Sequence, residues 1–260
     1  MEDKLKAVIL AGGMGTRLRE ETEYRPKPMV EVGGRPIIWH IMKILSIQGI
    51  NDFVVCLGYK GDQIKEYFLN YESRTNDLTV TLGKNGAVVK HNNLIAEDWT
   101  ITLADTGLST MTGGRINRIK KYVSGERFLC TYGDGLADIN LKELLAFHEG
   151  HGLGASVTAV RPTNRFGALQ IDDNNTVTEF AEKPKTEKWV NGGYFIFEPM
   201  VFNHLNDDCV LEKEPLEGIS KAGQLKAYKH EGFWQPMDTY RESQELNELW
   251  NSGSAPWKIW

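Results

Sequence analysis

Three apolar runs, "KAVIL" from Lys6, "DFVVCL" from Asp52 and "ERFLCTY" from Glu126, are continuous rather than alternating, and each ends in a glycine-bearing loop, "AGGMG", "GYKG" and "GDG". Strands covered on both faces read this way, so the pattern predicts buried parallel strands. Between them the spacing changes to that of helices. In "RPIIWHIMKILSIQG" the residues Ile38, Ile41, Met42 and Leu45 recur at helical intervals, with Pro36 suited to the first turn and Gly49 to the stop. Ile116, Ile119 and Val123 repeat the pattern after "TGG". "LTVTLGKNGAVVKHN" alternates about a glycine turn and predicts a hairpin near 78–92, and "ALQIDDNNTVTEF" predicts a second around Asp173, Asn174 and Asn175. A strand in "GGYFIFEP" and a helix from Tyr240 to Trp250 follow. The expected fold class is α/β: a doubly wound, mostly parallel sheet with added antiparallel strands and hairpins. Residues 1–260 read as a single domain, with the hairpin as an excursion and a C-terminal helix and tail near 239–260. In an open parallel sheet ligands bind at the carboxyl ends of the strands, where the three glycine loops would meet.

The first loop carries the most chemistry. A glycine loop between strand and helix offers unpaired backbone N–H groups to phosphate. It is not the dinucleotide fingerprint G-x-G-x-x-G, because after Gly13 and Gly15 the last glycine position holds Leu18. Nor is it a Walker loop, since Arg17 stands five residues after Gly12 where glycine and then lysine belong. Gly12, Gly13, Gly15, Thr16 and Arg17 therefore suggest a phosphate loop of another kind, with Arg17 as a forked donor and Lys27, between Pro26 and Pro28, as a point charge on stiffened backbone. A tight turn followed by incidental cations is the plainer alternative.

Composition narrows the partners. The net charge of -5 argues against a nucleic-acid surface, so a phosphate site has to be local. Cys56, Cys130 and Cys209 are odd in number and far apart, and the first two lie in apolar runs, which suits buried thiols in a reducing cytoplasm. No stretch approaches the ~18 apolar residues of a membrane span, so no membrane partner is expected. "HEGH" from His148 lacks metalloprotease spacing and reads as a solvated helix end.

"LAGGMGTR" followed by "PKPM" resembles the signature of the sugar-1-phosphate nucleotidylyltransferases. The likeness continues through "ADTGLSTMTGGR", "YGDG", "RFGAL", "EKP", "NGGYF" and "FWQPMDT". The resemblance implies a Rossmann-like nucleotidyltransferase fold and transfer of a nucleotidyl group to a sugar phosphate with loss of pyrophosphate. "RLREET" before "RPKPM" is similar to the members that use CTP, which implies CTP and glucose 1-phosphate as substrates, in the service of deoxysugars for surface polysaccharide such as O-antigen. The same chemistry with UTP, dTTP or another sugar, and a binding module without catalysis, remain as alternatives. The resemblance further implies a homo-oligomer, up to a hexamer, with the 78–92 hairpin as a contact.

Residue by residue, the likeness assigns Leu10, Ala11, Gly12, Gly13, Met14, Gly15, Thr16, Arg17, Lys27, Thr110, Arg115 and Gly133 to the nucleotide, with Arg17 and Lys27 catalytic. Glu182, Lys183, Asn191 and Gly192 fall on the sugar side, though a hairpin end with exposed charges reads equally from the residues alone. Mg2+ suits this chemistry because it takes hard oxygens from one or two carboxylates plus substrate phosphates. Asp134 and Asp238 are its expected ligands; either could be a turn residue. A phosphate monoester is largely dianionic at neutral pH, so no general base is expected. Trp257 and Trp260, in the tail "SAPWKIW", are expected to pack on the body or on a neighbouring subunit.

Overall fold

The computed structural model describes residues 5–83, 86–92, 97–123, 125–163, 168–181, 185–186 and 188–260. Its centre is a seven-stranded sheet of β1 (Lys6–Leu10), β2 (Asp52–Leu57), β3 (Thr100–Asp105), β4 (Phe128–Tyr132), β5 (Ala155–Val160), β6 (Val190–Phe197) and β7 (Leu225–His230). The spatial order is β7-β5-β6-β4-β1-β2-β3. β1 pairs in parallel with β2 and β4, β2 with β3 and β5 with β7, whereas β6 runs antiparallel to both β4 and β5. This is the mostly parallel, doubly wound sheet that the apolar runs predict.

Alternation along the central strands sends Ala7 and Ile9 to one face and Val8 and Leu10 to the other, and each face has its own apolar layer. On the first lie α1 (Ile37–Ile47), α2 (Gly61–Leu69), α4 (Leu141–His151) and α6 (Tyr240–Asn251); on the second lie α3 (Thr112–Arg118) and α5 (Glu214–Lys221). Helix α1 buries Ile38, Ile41, Met42 and Leu45, and its end is a Schellman motif: Gly49 has φ +99°, its N–H donates to Ser46 O at 2.9 Å, and Ile50 N–H reaches Leu45 O at 3.0 Å. Pro36 sits one residue earlier than the first turn, at the N-cap.

The C-terminal tail packs on the body. Trp257 is fully buried against Phe233 and His40, and Trp260 lies among Trp39, His40 and Trp250. His40 Nε2 is 2.8 Å from Val32 O, which fixes the proton there, and Nδ1 accepts from Trp257 Nε1 at 3.4 Å. Burial lowers its pKa from 6.5 to about 4, so it stays neutral. The solvated reading of "HEGH" fails for His148, which is 1% exposed and bonded to Ser156 Oγ at 2.8 Å and Glu198 at 3.2 Å. All three cysteines are buried and free.

Away from the main sheet, Asp77–Gly83 and Gly86–Asn92 pair antiparallel, as do Ala168–Ile171 and Val177–Ala181. No helix among the described residues is long and apolar enough to cross a membrane.

Candidate active site

The chain leaves β1 for β2 and β3 on one side, then returns to β4 on the other. This reversal opens a crevice at the carboxyl ends of β1 and β4, the usual ligand position in such sheets. A cavity of about 340 Å³ occupies it, lined by Leu10, Ala11, Gly12, Gly13, Gly15, Thr16, Arg17, Lys27, Thr110, Arg115 and Gly133. Of the expected nucleotide residues Met14 alone is not in that lining, and its side chain is exposed. Pro28, Met111, Thr112, Tyr132 and Asp134 complete the wall. A second cavity of about 320 Å³ shares Arg17, Tyr132 and Asp134 with the first and adds Asn191, Gly192, Glu212, Trp234 and Asp238. Glu182 and Lys183 lie outside the described residues.

At the boundary stands a four-charge cluster. Lys27 occupies a single 3₁₀ turn, Lys27–Met29, entered through Pro26. Its Nζ donates to Asp134 Oδ2 and to Asp238 Oδ1, each at 2.6 Å, while Arg17 Nη1 donates to Asp238 Oδ2 at 2.7 Å. Burial by itself would push the Lys27 ammonium down, but Asp134 and then Asp238 outweigh it, and the net shift is upward. Lys27 is therefore a permanent, 7% exposed cation.

Two distant segments bring the carboxylates together. Asp134 follows β4 in a turn, and Trp234–Pro236 pairs antiparallel with Gly135–Ala137, so that Met237 N–H donates to Asp134 O at 2.8 Å. Asp238 then precedes the α6 capping box of Thr239 and Glu242, and Glu242 Oε2 accepts from Asp238 N–H at 2.8 Å. Each aspartate thus stands on pinned backbone. Among the described residues no group of three or more His, Cys, Asp or Glu side chains could hold a metal. Two hard carboxylates that already converge on one cation are the donor set that Mg2+ takes when phosphates supply its other ligands.

Arg115, expected at the nucleotide, lines the cavity and is also bonded to the protein around it. Its guanidinium is buried, with Nη1 donating to Leu57 O at 2.9 Å, Thr106 Oγ1 at 2.8 Å and Gly107 O at 2.8 Å. Nη2 donates to Gly12 O at 3.0 Å and Leu108 O at 3.3 Å. The same fork explains Gly12, where a Cβ would come within 2.1 Å of Nη1. Arg115 ties the phosphate loop at Gly12 to the ends of β2 and β3, and both its Nη groups are spent on protein.

The family model described as "Nucleotidyl transferase" matches residues 6–235. The chain belongs to this nucleotidyl transferase family. Among its relatives in the family, the glucose-1-phosphate cytidylyltransferase of Salmonella typhi is 51% identical over 259 residues, 98% of this chain and 100% of that protein. The probable glucose-1-phosphate cytidylyltransferase of Bacillus subtilis is 46% identical over 258 residues, again 98% of this chain and 100% of the relative. The fold is shared more widely. HddC from Yersinia pseudotuberculosis superposes with a TM-score of 0.68 at 22% identity, covering 95% of this chain and 99% of that one. A UDP-glucose pyrophosphorylase bound to UDP-glucose gives 0.69 at 17% identity, covering 96% and 99%.

Within this nucleotidyl transferase, Tyr132, Glu212, Trp234 and Met111 line the cavities without having been singled out in the sequence. Tyr132 was legible in principle, as the residue before the Gly133–Asp134 turn. Glu212 was not, because its partners Thr112 and Tyr132 lie 100 and 80 residues away.

Proposed function

We propose that the chain transfers the cytidylyl group of CTP to glucose 1-phosphate, giving CDP-glucose and pyrophosphate. The observation that carries the chemistry is the convergence of Lys27, Arg17, Asp134 and Asp238 at the boundary of two cavities. The base and the sugar are carried by the near full-length likeness to cytidylyltransferases. An oxygen of the sugar phosphate attacks the α-phosphorus, the bond from that phosphorus to the β-bridging oxygen breaks, and pyrophosphate leaves with the electron pair. The dianionic monoester needs no base, so the task is alignment and charge neutralisation.

The loop Leu10–Arg17 holds the triphosphate by backbone N–H groups, and Arg17 gives its fork to the leaving phosphates. Lys27 stands at the boundary, where charge develops during transfer and a fixed cation is worth most. Thr110 and Gly133 line the nucleotide end, and Arg115 acts there by shaping the wall. Asn191 and Gly192 line the sugar end, and the sequence resemblance assigns Glu182 and Lys183 to the same substrate. Asp134 and Asp238 would hold Mg2+, which when bound supplies neutralisation of phosphate oxygens and polarisation of the α-phosphoryl group.

The protein works in the cytoplasm, a compartment in keeping with its three free buried thiols. It assembles with copies of itself through the 78–92 hairpin. Alternation puts Leu78, Val80 and Leu82 on one face, and they are 40%, 51% and 82% exposed. Replacing Val80 and Leu82 by serine should lower the mass measured by light scattering, and an unchanged mass would remove the hairpin from the contact.

Labelled CTP tests the reaction. Phosphorus label at the α position should appear in CDP-glucose, and label at the γ position in pyrophosphate. Orthophosphate carrying the γ label would mean hydrolysis instead.

A further inference from the structure

A run of hydrogen bonds joins the two cavities, and Glu212, between β6 and α5, is its middle. On one side Oε2 accepts from Thr112 Oγ1 at 2.7 Å, and that hydroxyl accepts in turn from Leu211 N–H at 2.9 Å. On the other side Oε1 accepts from the Tyr132 phenol, whose oxygen accepts from Asn191 Nδ2 at 3.2 Å. Asn191 Oδ1 completes the run by accepting from Gly193 N–H at 2.8 Å. Burial first, and the nearby Glu212 charge second, push the Tyr132 phenol up, so it remains a protonated donor. Tyr132 faces both cavities, whereas Glu212 faces the second.

The two ends of this run are not equally secure. Helix α3, which begins at Thr112, has other anchors: Gly114 N–H donates to Cys209 O at 3.1 Å and Asn117 Nδ2 to Asp207 Oδ1 at 2.9 Å. The glycines of "TGG" admit that loop, since a Cβ on Gly114 would come within 2.3 Å of Asp207 O. Arg115 adds its ties to Gly12 and Leu57. The Tyr132 hydroxyl has only Glu212 and Asn191 among the described residues. Removing the Glu212 carboxylate therefore loosens the sugar end and leaves the nucleotide end in place.

We propose that Glu212 is a positioning residue, which sets Tyr132 and Asn191 in fixed relation to α3 and the phosphate loop so that the sugar phosphate meets the α-phosphorus. The proposal rests on the reading that the second cavity takes the sugar phosphate. Misplacement of a reactant by about 1 Å costs on the order of a hundredfold in rate. A charge-assisted hydrogen bond lost at one remove should cost about tenfold.

The test compares wild type, Glu212→Gln, Tyr132→Phe and the double variant. In Glu212→Gln, kcat/KM for glucose 1-phosphate should fall about tenfold, while the dissociation constant for CTP by titration calorimetry changes less than about twofold. The double variant should be no worse than the poorer single one, because both break the same run. Equal weakening of CTP and sugar phosphate, or losses that multiply in the double variant, would overturn the proposal. If Glu212→Gln fails to fold, Glu212→Asp, whose shorter arm cannot span both hydroxyls, takes its place under the same criteria. An inactive wild type would instead sink the underlying assignment of function, and the control keeps the two failures apart.

Discussion

Replacing Arg115 by lysine keeps the positive charge and removes the fork, and so separates two roles for this residue. Four hydrogens on Nη1 and Nη2 serve Leu57 O, Thr106 Oγ1, Gly107 O, Gly12 O and Leu108 O. An ammonium on a shorter arm cannot reach both Gly12 and Gly107 at once. Gly12 O keeps Tyr59 N–H at 3.1 Å and Leu57 O keeps Thr106 N–H at 3.0 Å, but Gly107 O and Leu108 O, both part-exposed, lose their one donor among the described residues, at about 1 kcal/mol each, or roughly 2 kcal/mol in all. For a chain of this size each kcal/mol lowers Tm by about 2–4 °C, so the expected fall is on the order of 4–8 °C. Thermal unfolding followed by near-ultraviolet circular dichroism measures it, with KM for CTP determined on the same preparation. The KM should rise a few-fold as well, because Gly12 O in the phosphate loop loses one of its two donors and keeps only Tyr59 N–H. A Tm equal to wild type combined with a large rise in KM would refute the reasoning, since the guanidinium would then be serving CTP and not the wall.

Other consequences follow from the same contacts. Asp134→Asn keeps the shape but removes the charge opposite Lys27, and should fold normally while losing about a hundredfold or more in kcat; full turnover in steady-state assay would take Asp134 out of the site. Because the folded pKa of His40 is depressed from 6.5 to about 4, its contribution is complete above pH 6.5 and is lost as pH falls towards 4. The loss approaches about 3 kcal/mol, and urea unfolding of His40→Gln beside wild type at several pH values should show the variant lacking that part of the acid slope. Trp257→Ala opens a cavity against Phe233 and should cost about 3–5 kcal/mol by urea unfolding. An unchanged midpoint would mean that the tail contributes nothing to the body.

The central strands were legible because they are covered on both faces: β1, β2 and β4 are unbroken apolar runs. β3 and β7 were not, because they are the edges of the sheet and mix exposed with half-buried positions. β5, "ASVTAV", is buried but built from small residues, so its burial leaves little trace in hydropathy. The same division runs through the site. The phosphate loop, Lys27 and the two aspartates stand in short local motifs that can be read residue by residue. What those motifs do to one another depends on strand pairing, as when Trp234–Pro236 beside Gly135–Ala137 carries Asp238 to Lys27. Arg115 shows the limit most clearly, since an arginine after "TGG" looks the same in sequence whether its fork meets a phosphate or five protein oxygens. The direction of a side chain is a tertiary fact.

The most direct test of the whole account is pyrophosphate release from glucose 1-phosphate and Mg2+ with CTP, UTP, dTTP, ATP and GTP in parallel, with and without chelator. The expected result is release with CTP well above the other triphosphates, abolished by chelator. Preference for another triphosphate would contradict the cytidylyl assignment while leaving the fold and the transfer chemistry standing, and release with none of the five would contradict the catalytic reading itself.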